Sequence, residues 1–282
     1  MPHDTPPRGV PRRRALRALL RRGIRRPVRA LAFAGRLLRN RWLLRSAHGD
    51  HLAFRRAVVR ADARRTAGTA ASATVRERQD ALGELQFSYL RSHGLLPVHH
   101  LLEIGCGSLS AGWRFVDYLA PGHYHGVDIA PEALYAAQRM LAVRGLQDKV
   151  PYLSLVDDLR FAQLPAGHFD VAHAHDVFTH APPQLIVECL AHVRRVLKPG
   201  GFFDFTYHRA EERESTGRRR RAGQADAYDA LREHFRYRAG TLIGFAGAQG
   251  LLARTMDDWD ALPHGQSRIR VVVPRSHLPE GE

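Results

Sequence analysis

Leu101-Leu102-Glu103-Ile104-Gly105-Cys106-Gly107-Ser108 is an apolar run of strand length that breaks into a glycine turn and then leads into a helix. Glycine lets the backbone come close to a ligand, and a helix N-terminus presents N–H groups that have no partner within the helix. Twenty-three residues after Gly105, a second apolar strand ends in Gly126-Val127-Asp128-Ile129. A carboxylate at that place, on the C-terminal edge of a sheet, accepts hydrogen bonds from two ribose hydroxyls. A tight turn followed by an ordinary surface acid is the bland alternative. Strand, turn, helix, strand and terminal acid in that order favour a nucleoside site.

Outward from this stretch the chain alternates. Strands are expected near Leu101–Ile104, Tyr124–Ile129, Tyr152–Val156, Phe169–His175 and Gly201–Thr206. Helices lie between them: Pro131 and Pro183 sit where first-turn prolines are tolerated, and Ile186, Leu190, Val193 and Leu197 form a core-facing stripe. Pro199-Gly200-Gly201 then turns the chain back. A further helix is expected near Tyr237–Gly250, followed by strands at Leu251–Asp257 and Arg268–Pro274. Such alternation implies right-handed crossovers and a parallel sheet. The fold expected is a three-layer, doubly wound α/β domain. Its mostly parallel sheet has seven strands, with the last pair antiparallel.

The net charge of +15 is unevenly spread. Residues 1–65 hold 19 Arg against Asp4, Asp50 and Asp62, a balance of +16 that leaves about −1 for the rest of the chain. Residues 2–11 are Pro-rich and polar and are expected to be disordered. Leu16, Leu20 and Ile24 make one helical stripe, Pro27 interrupts, and Leu31, Ala34, Leu38 and Trp42 make a second. The Ala, Thr and Ser tract from Thr66 to Thr74 reads as a linker or a loosely packed helix. The boundary is therefore set near Val75: residues 1–75 form a basic, partly disordered helical extension, and residues 76–282 form the α/β domain. Arg218 to Arg221 fall in a polar stretch expected to be a surface loop. Cys106 and Cys189 offer no disulfide framework, and arginines interrupt every apolar stretch that could serve as a signal or a membrane span. A cytoplasmic protein, peripheral at most to the inner membrane surface, is expected.

With these residues in view, the chain resembles the class I, seven-stranded S-adenosylmethionine-dependent methyltransferases over about Gln79 to Pro274. Glu103-Ile104-Gly105-Cys106-Gly107 looks like their first motif. Residues 122–128, Val177-Phe178-Thr179-His180 and Leu197-Lys198-Pro199-Gly200-Gly201 are similar to a subgroup acting on small molecules and glycans. The resemblance implies S-adenosylmethionine as cofactor. Glu103 and the backbone of Gly105, Cys106 and Gly107 would lie at its methionine end, Asp128 at the ribose with Ile129 beside it, and Asp157 or Asp158 at the adenine amino group, with His175 also at the cofactor. His175-Asp176 departs from the subgroup, which more often carries an amide or small polar pair there. A nicotinamide dehydrogenase would need glycine where this chain has Ser110.

On the acceptor side, His180 follows the fourth strand and is the candidate general base for a hydroxyl acceptor, since neutral imidazole takes a proton near pH 7. A buried histidine bonded to loop backbone is the alternative. Asp170 and His180 fall at opposite ends of one strand, and His173 with His175 is a thin ligand set, so no metal site is expected. The reaction expected is O-methylation of a sugar, lipid-linked or specialised small-molecule acceptor. The alternatives are an RNA or protein methyltransferase guided by the basic arm, and a non-catalytic binding module on the same fold. Residues 12–45, with Arg on the polar side and Leu, Phe and Trp on the other, suit an anionic membrane surface. Nucleic acid is less favoured, because the segment to residue 65 has only Phe33, Trp42 and Phe54 as stacking platforms.

Overall fold

The computed structural model describes residues 34–66, 73–210, 234–256 and 265–275. The Pro-rich residues 2–11, the stripe from Leu16 to Ile24, most of the Ala, Thr and Ser tract, and the Arg218 to Arg221 stretch lie outside them.

Each residue of β1 (Leu101–Ile104) is buried, as a strand covered on both faces must be. Parallel to it run β2 (Tyr124–Asp128) and β4 (Phe169–Ala174) on either side, β3 (Tyr152–Leu155) beyond β2, and β5 (Leu197–Arg209) beyond β4. After β6 (Arg236–Tyr237), which pairs with the end of β5, come β7 (Leu252–Thr255) and β8 (Gln266–Val272). The order is β3-β2-β1-β4-β5-β8-β7, and β8 runs antiparallel to both neighbours. This is the expected sheet with the two-residue β6 added at its edge. β5 starts earlier than expected: Lys198-Pro199-Gly200 belong to the strand, and the register with β4 shifts between Phe169 and Val171 to absorb them.

Of the described helices that precede the first strand, one spans residues 34–46 (α1) and the next is His51–Thr66 (α2). α2 is capped by Asp50, whose carboxylate accepts the Ala53 N–H at 3.0 Å. α3 (Ala73–Ser92), α4 (Gly112–Tyr118) and α5 (Pro131–Arg144) follow, then α6 (Pro183–Val196) and α7 (Ala239–Ala248). α6 buries Ile186, Cys189, Leu190 and Val193, whereas Leu197 already belongs to β5. α5 has Pro131 in its first turn and stops at Gly145, whose φ of 66° takes the left-handed conformation glycine favours. The two faces of the sheet carry separate cores, one containing Leu102, Ile104 and Phe203, the other Leu101, Phe115 and Leu134.

Strands β1 to β3 build the sheet in one direction, and β4 and β5 build it in the other. The reversal falls between β1 and β4, so the loops leaving their C-terminal ends diverge and open a crevice there.

Candidate active site

The crevice holds a cavity of about 300 Å³, at the lower end of small-molecule sites, about 300–1,000 Å³. Its floor is the sheet edge and its outer wall is α2.

At the floor, Gly105 turns the chain at φ 72°, and a Cβ built there would lie 2.5 Å from Val177 Cγ2. Only glycine fits. The Gly105 and Cys106 N–H groups both donate to the Val127 carbonyl, at 2.8 and 3.1 Å. Cys106 tucks its sulfur under Gly126, where a Cβ would come within 2.9 Å, so β2 needs glycine opposite the thiol. Burial pushes the Cys106 thiol up, so it stays protonated and acts as a small apolar group. α4 starts only at Gly112, because the chain first turns inward to bury Leu109 at φ 59°. The turn itself, rather than a helix N-terminus, therefore presents backbone to the cavity.

Asp128 ends β2 on the cavity wall. Its carboxylate accepts the Gly107 N–H at Oδ2 and the Ala130 N–H at Oδ1, each at 2.9 Å. Burial raises its pKa, and these bonds partly offset that. Each oxygen keeps a second lone pair, so a carboxylate fixed in this way can still accept from a vicinal diol. Ile129, Val156 and Leu159 add an apolar wall of the kind a planar base needs. The donor set, bare backbone, diol acceptor and apolar wall, fits a nucleoside.

Glu103, Asp157 and Asp158 do not line the cavity. Glu103 is 5% exposed behind the turn, accepting the Tyr124 hydroxyl at 2.5 Å, and burial followed by the Asp128 charge lifts its pKa to about 7. Asp157 is at the rim, 86% exposed, and paired with Arg56 at 2.8 Å. Asp158 is half exposed and accepts the Arg160 N–H at 3.0 Å. His175 and His180 both line the cavity.

His180 ends a single turn of 3-10 helix after β4. Its Nε2 lies 3.6 Å from Asp176 Oδ2. Asp176 holds a left-handed φ of 59°; its N–H donates to Thr206 Oγ1 at 2.8 Å, and its Oδ1 accepts from Thr179 Oγ1 at 2.8 Å and Gln266 Nε2 at 2.6 Å. Burial opposes its ionisation, but the His180 and Thr179 contacts outweigh that and hold the carboxyl well below the usual range. The carboxylate is thus rigid, charged and aimed at an imidazole on the cavity wall.

Sequence reasoning missed Asp176 as a partner, although the Asp176-to-His180 spacing is a signal once the loop is known to turn. It also missed α2. His51 donates from Nε2 to the His180 carbonyl at 2.7 Å, and Arg56 donates from Nε to the Ile129 carbonyl at 2.8 Å. Arg60 pairs with Glu132 at 2.8 Å, while Leu52, Arg55 and Val59 line the cavity. Phe54 and Val58 are buried against the domain. An Arg-rich helix carries no local mark of the surface it will cover. Among the described residues, no group of three or more His, Cys, Asp or Glu is arranged to hold a metal.

Residues 102–203 match the family model of a methyltransferase domain. A probable methyltransferase of Aspergillus luteorubrus, ltbC, is 28% identical over 134 residues, 46% of this chain and 47% of that relative, so the chain spans about half its length. Magnesium protoporphyrin IX methyltransferase from Synechocystis, solved with its bound methyl donor, superposes over 80% of this chain and 98% of its own with TM-score 0.57 at 16% identity. The [4+2]-cyclase SpnF covers 71% of this chain and 82% of its own with TM-score 0.51, also at 16% identity. These two likenesses concern the fold, and a sheet shared with a cyclase does not by itself fix a reaction.

Proposed function

From the methyltransferase-domain match over residues 102–203 and the fold shared with a solved methyltransferase, we propose that the chain is a class I S-adenosylmethionine-dependent methyltransferase and that it transfers a methyl group to a hydroxyl of a small-molecule, glycan or lipid-linked acceptor. The observation that carries the reading is the Asp128 carboxylate, locked by the Gly107 and Ala130 N–H groups on the wall of a cavity floored by bare glycine backbone.

Asp128 would accept the ribose hydroxyls, Ile129, Val156 and Leu159 would enclose the adenine, and the Gly105 to Gly107 backbone would run along the methionine end. S-adenosylmethionine, when bound, supplies an electrophilic methyl group. Because a methyl acceptor must approach in line with the bond that breaks, much of the rate comes from holding it there and excluding water. α2 closes the outer wall and serves that exclusion.

His180 takes the hydroxyl proton as the new bond forms. With Nε2 turned to Asp176, Nδ1 is the atom assigned to that transfer, and the ionised Asp176 steadies the imidazolium that results. An amino acceptor has less need of such a pair, which is why the Asp176–His180 arrangement favours a hydroxyl.

Calorimetric titration with S-adenosylmethionine and S-adenosylhomocysteine tests the cofactor half. Dissociation constants in roughly the micromolar range are expected for the unaltered chain, weakened at least about tenfold in Asp128→Ala. Equal affinity in the variant would overturn the assignment. Labelled methyl transfer across a panel of hydroxyl and amino acceptors tests the other half. His180→Ala should lower kcat by about 10²- to 10⁴-fold without changing cofactor affinity; turnover confined to amines would sink the hydroxyl reading.

A further inference from the structure

α1 and α2 form a helical hairpin closed by the turn 47–50. Its inner side is tied: Arg39 Nη1 meets Asp62 Oδ1 at 2.6 Å, and Asn40, 2% exposed, accepts Arg39 Nη2 at 2.9 Å. Leu37, Leu43 and Leu44 are half-buried.

The outer side of α1 is built from other material. Leu38 is 70% exposed and Trp42 66% exposed. They stand four residues apart, so they share one helical face. Arg41 and Arg45 are exposed on the flank of that face, with no acid between residues 34 and 49. Two large apolar side chains standing in water on the first described helix have no packing role in the described residues. A flank of fixed positive charge beside them selects a partner that is apolar beneath and anionic at its surface.

We propose that this face of α1 docks on an anionic lipid bilayer. The helix lies in the headgroup plane with Trp42 and Leu38 inserted to the top of the acyl chains, and Arg41 and Arg45 meet lipid phosphates. Tryptophan suits that depth because its ring is apolar and its N–H is polar. An RNA partner would use Trp42 as a stacking platform and the arginines on phosphates, but it would leave Leu38 in water. The bilayer uses every exposed group on the face. No described helix is long and apolar enough to cross a membrane, so the contact is peripheral. Because α2 is at once the partner of α1 and the wall of the cavity, the docked protein holds its active-site cap one helix layer from the lipid. Acceptors that partition into bilayers are then delivered beside the cavity. The docking itself does not rest on the methyl-transfer reading.

Flotation of the full chain with vesicles separates the outcomes. Vesicles of equimolar phosphatidylglycerol and phosphatidylcholine should carry the protein, and pure phosphatidylcholine should carry far less. Leu38→Ser with Trp42→Ser, and separately Arg41→Glu with Arg45→Glu, should each weaken partitioning by about tenfold or more. S-adenosylmethionine affinity, unchanged in both pairs, checks that they fold; if a pair does not fold, quenching of tryptophan emission in the unaltered chain by bromine-labelled acyl chains reports insertion directly. No flotation, undiminished flotation of folded variants, absence of quenching, or binding to a single-stranded RNA oligomer in place of vesicles would each overturn the proposal.

Discussion

Glu103 is the acid inside the first strand, and the residues around it turn a motif letter into an energetic statement. Burial first, and the Asp128 charge after it, raise its pKa from 4.5 to about 7, against the pull of the Tyr124 hydroxyl. Below pH 4.5 both the folded and the unfolded chain carry the proton. As pH rises from 4.5 to 7 the unfolded chain releases it first, so stability falls across that window by an amount on the order of 3 kcal/mol. Glu103→Gln removes this slope: urea unfolding should find the variant gaining on the parent as pH is raised from 4.5 to 8, and a constant difference would refute the assignment. His51 works in the opposite sense. Burial lowers its pKa to about 4, so the neutral form that donates to the His180 carbonyl is stable above pH 6.5 and loses ground as pH falls towards 4. The two slopes partly cancel in the parent, which is why the variant is the informative measurement.

Between elements, the antiparallel end of the sheet is held by a buried ion pair. Arg270 on β8 donates to both oxygens of Asp204 on β5, at 2.8 and 2.7 Å, and also to the His93 carbonyl just beyond α3 at 3.0 Å. Asp204 is fully buried and Arg270 nearly so, so water does not screen the pair. Removing one partner strands the other: Asp204→Ala should cost about 3–5 kcal/mol of unfolding free energy, whereas Asp204→Leu with Arg270→Met should come close to neutral. A single variant as stable as the parent would show that solvent reaches the site. The pairs on α2 belong to a different class. Arg56 with Asp157 and Arg60 with Glu132 lie at the surface, where ion pairs contribute about 0–1 kcal/mol each. The burial of Phe54 and Val58 holds that helix down, and the arginines set its register over the cavity.

For the molecule as a whole, the site is assembled from segments far apart in the chain: α2, the turn after β1, the end of β2, the segment after β3 and the loop after β4. A ligand that touches all of them couples them. With S-adenosylmethionine at roughly a hundred times its dissociation constant, unfolding should become harder by about 2.7 kcal/mol. Hydrogen exchange should slow most in α2, whose surface ties are weak without a ligand to close on. Protection that rises in β1 and β2 while α2 stays unchanged would mean that α2 does not take part in binding.

The chain by itself determined the sheet, the glycine turn after β1 and the acid that ends β2. Glycine where only glycine fits, an acid at the end of the next strand and apolar runs of strand length are local requirements, and local requirements are written in neighbouring residues. Tertiary structure alone decided that Arg56 reaches the Ile129 carbonyl across 73 positions and that Gln266 holds Asp176 across 90. It also sank Glu103 beneath the turn and gave Asp157 to Arg56 at the rim. Such contacts depend on where the backbone brings distant segments. A helix rich in arginine has the same composition whether it caps a cavity, faces a bilayer or stands in water, so only the packed fold distinguishes them.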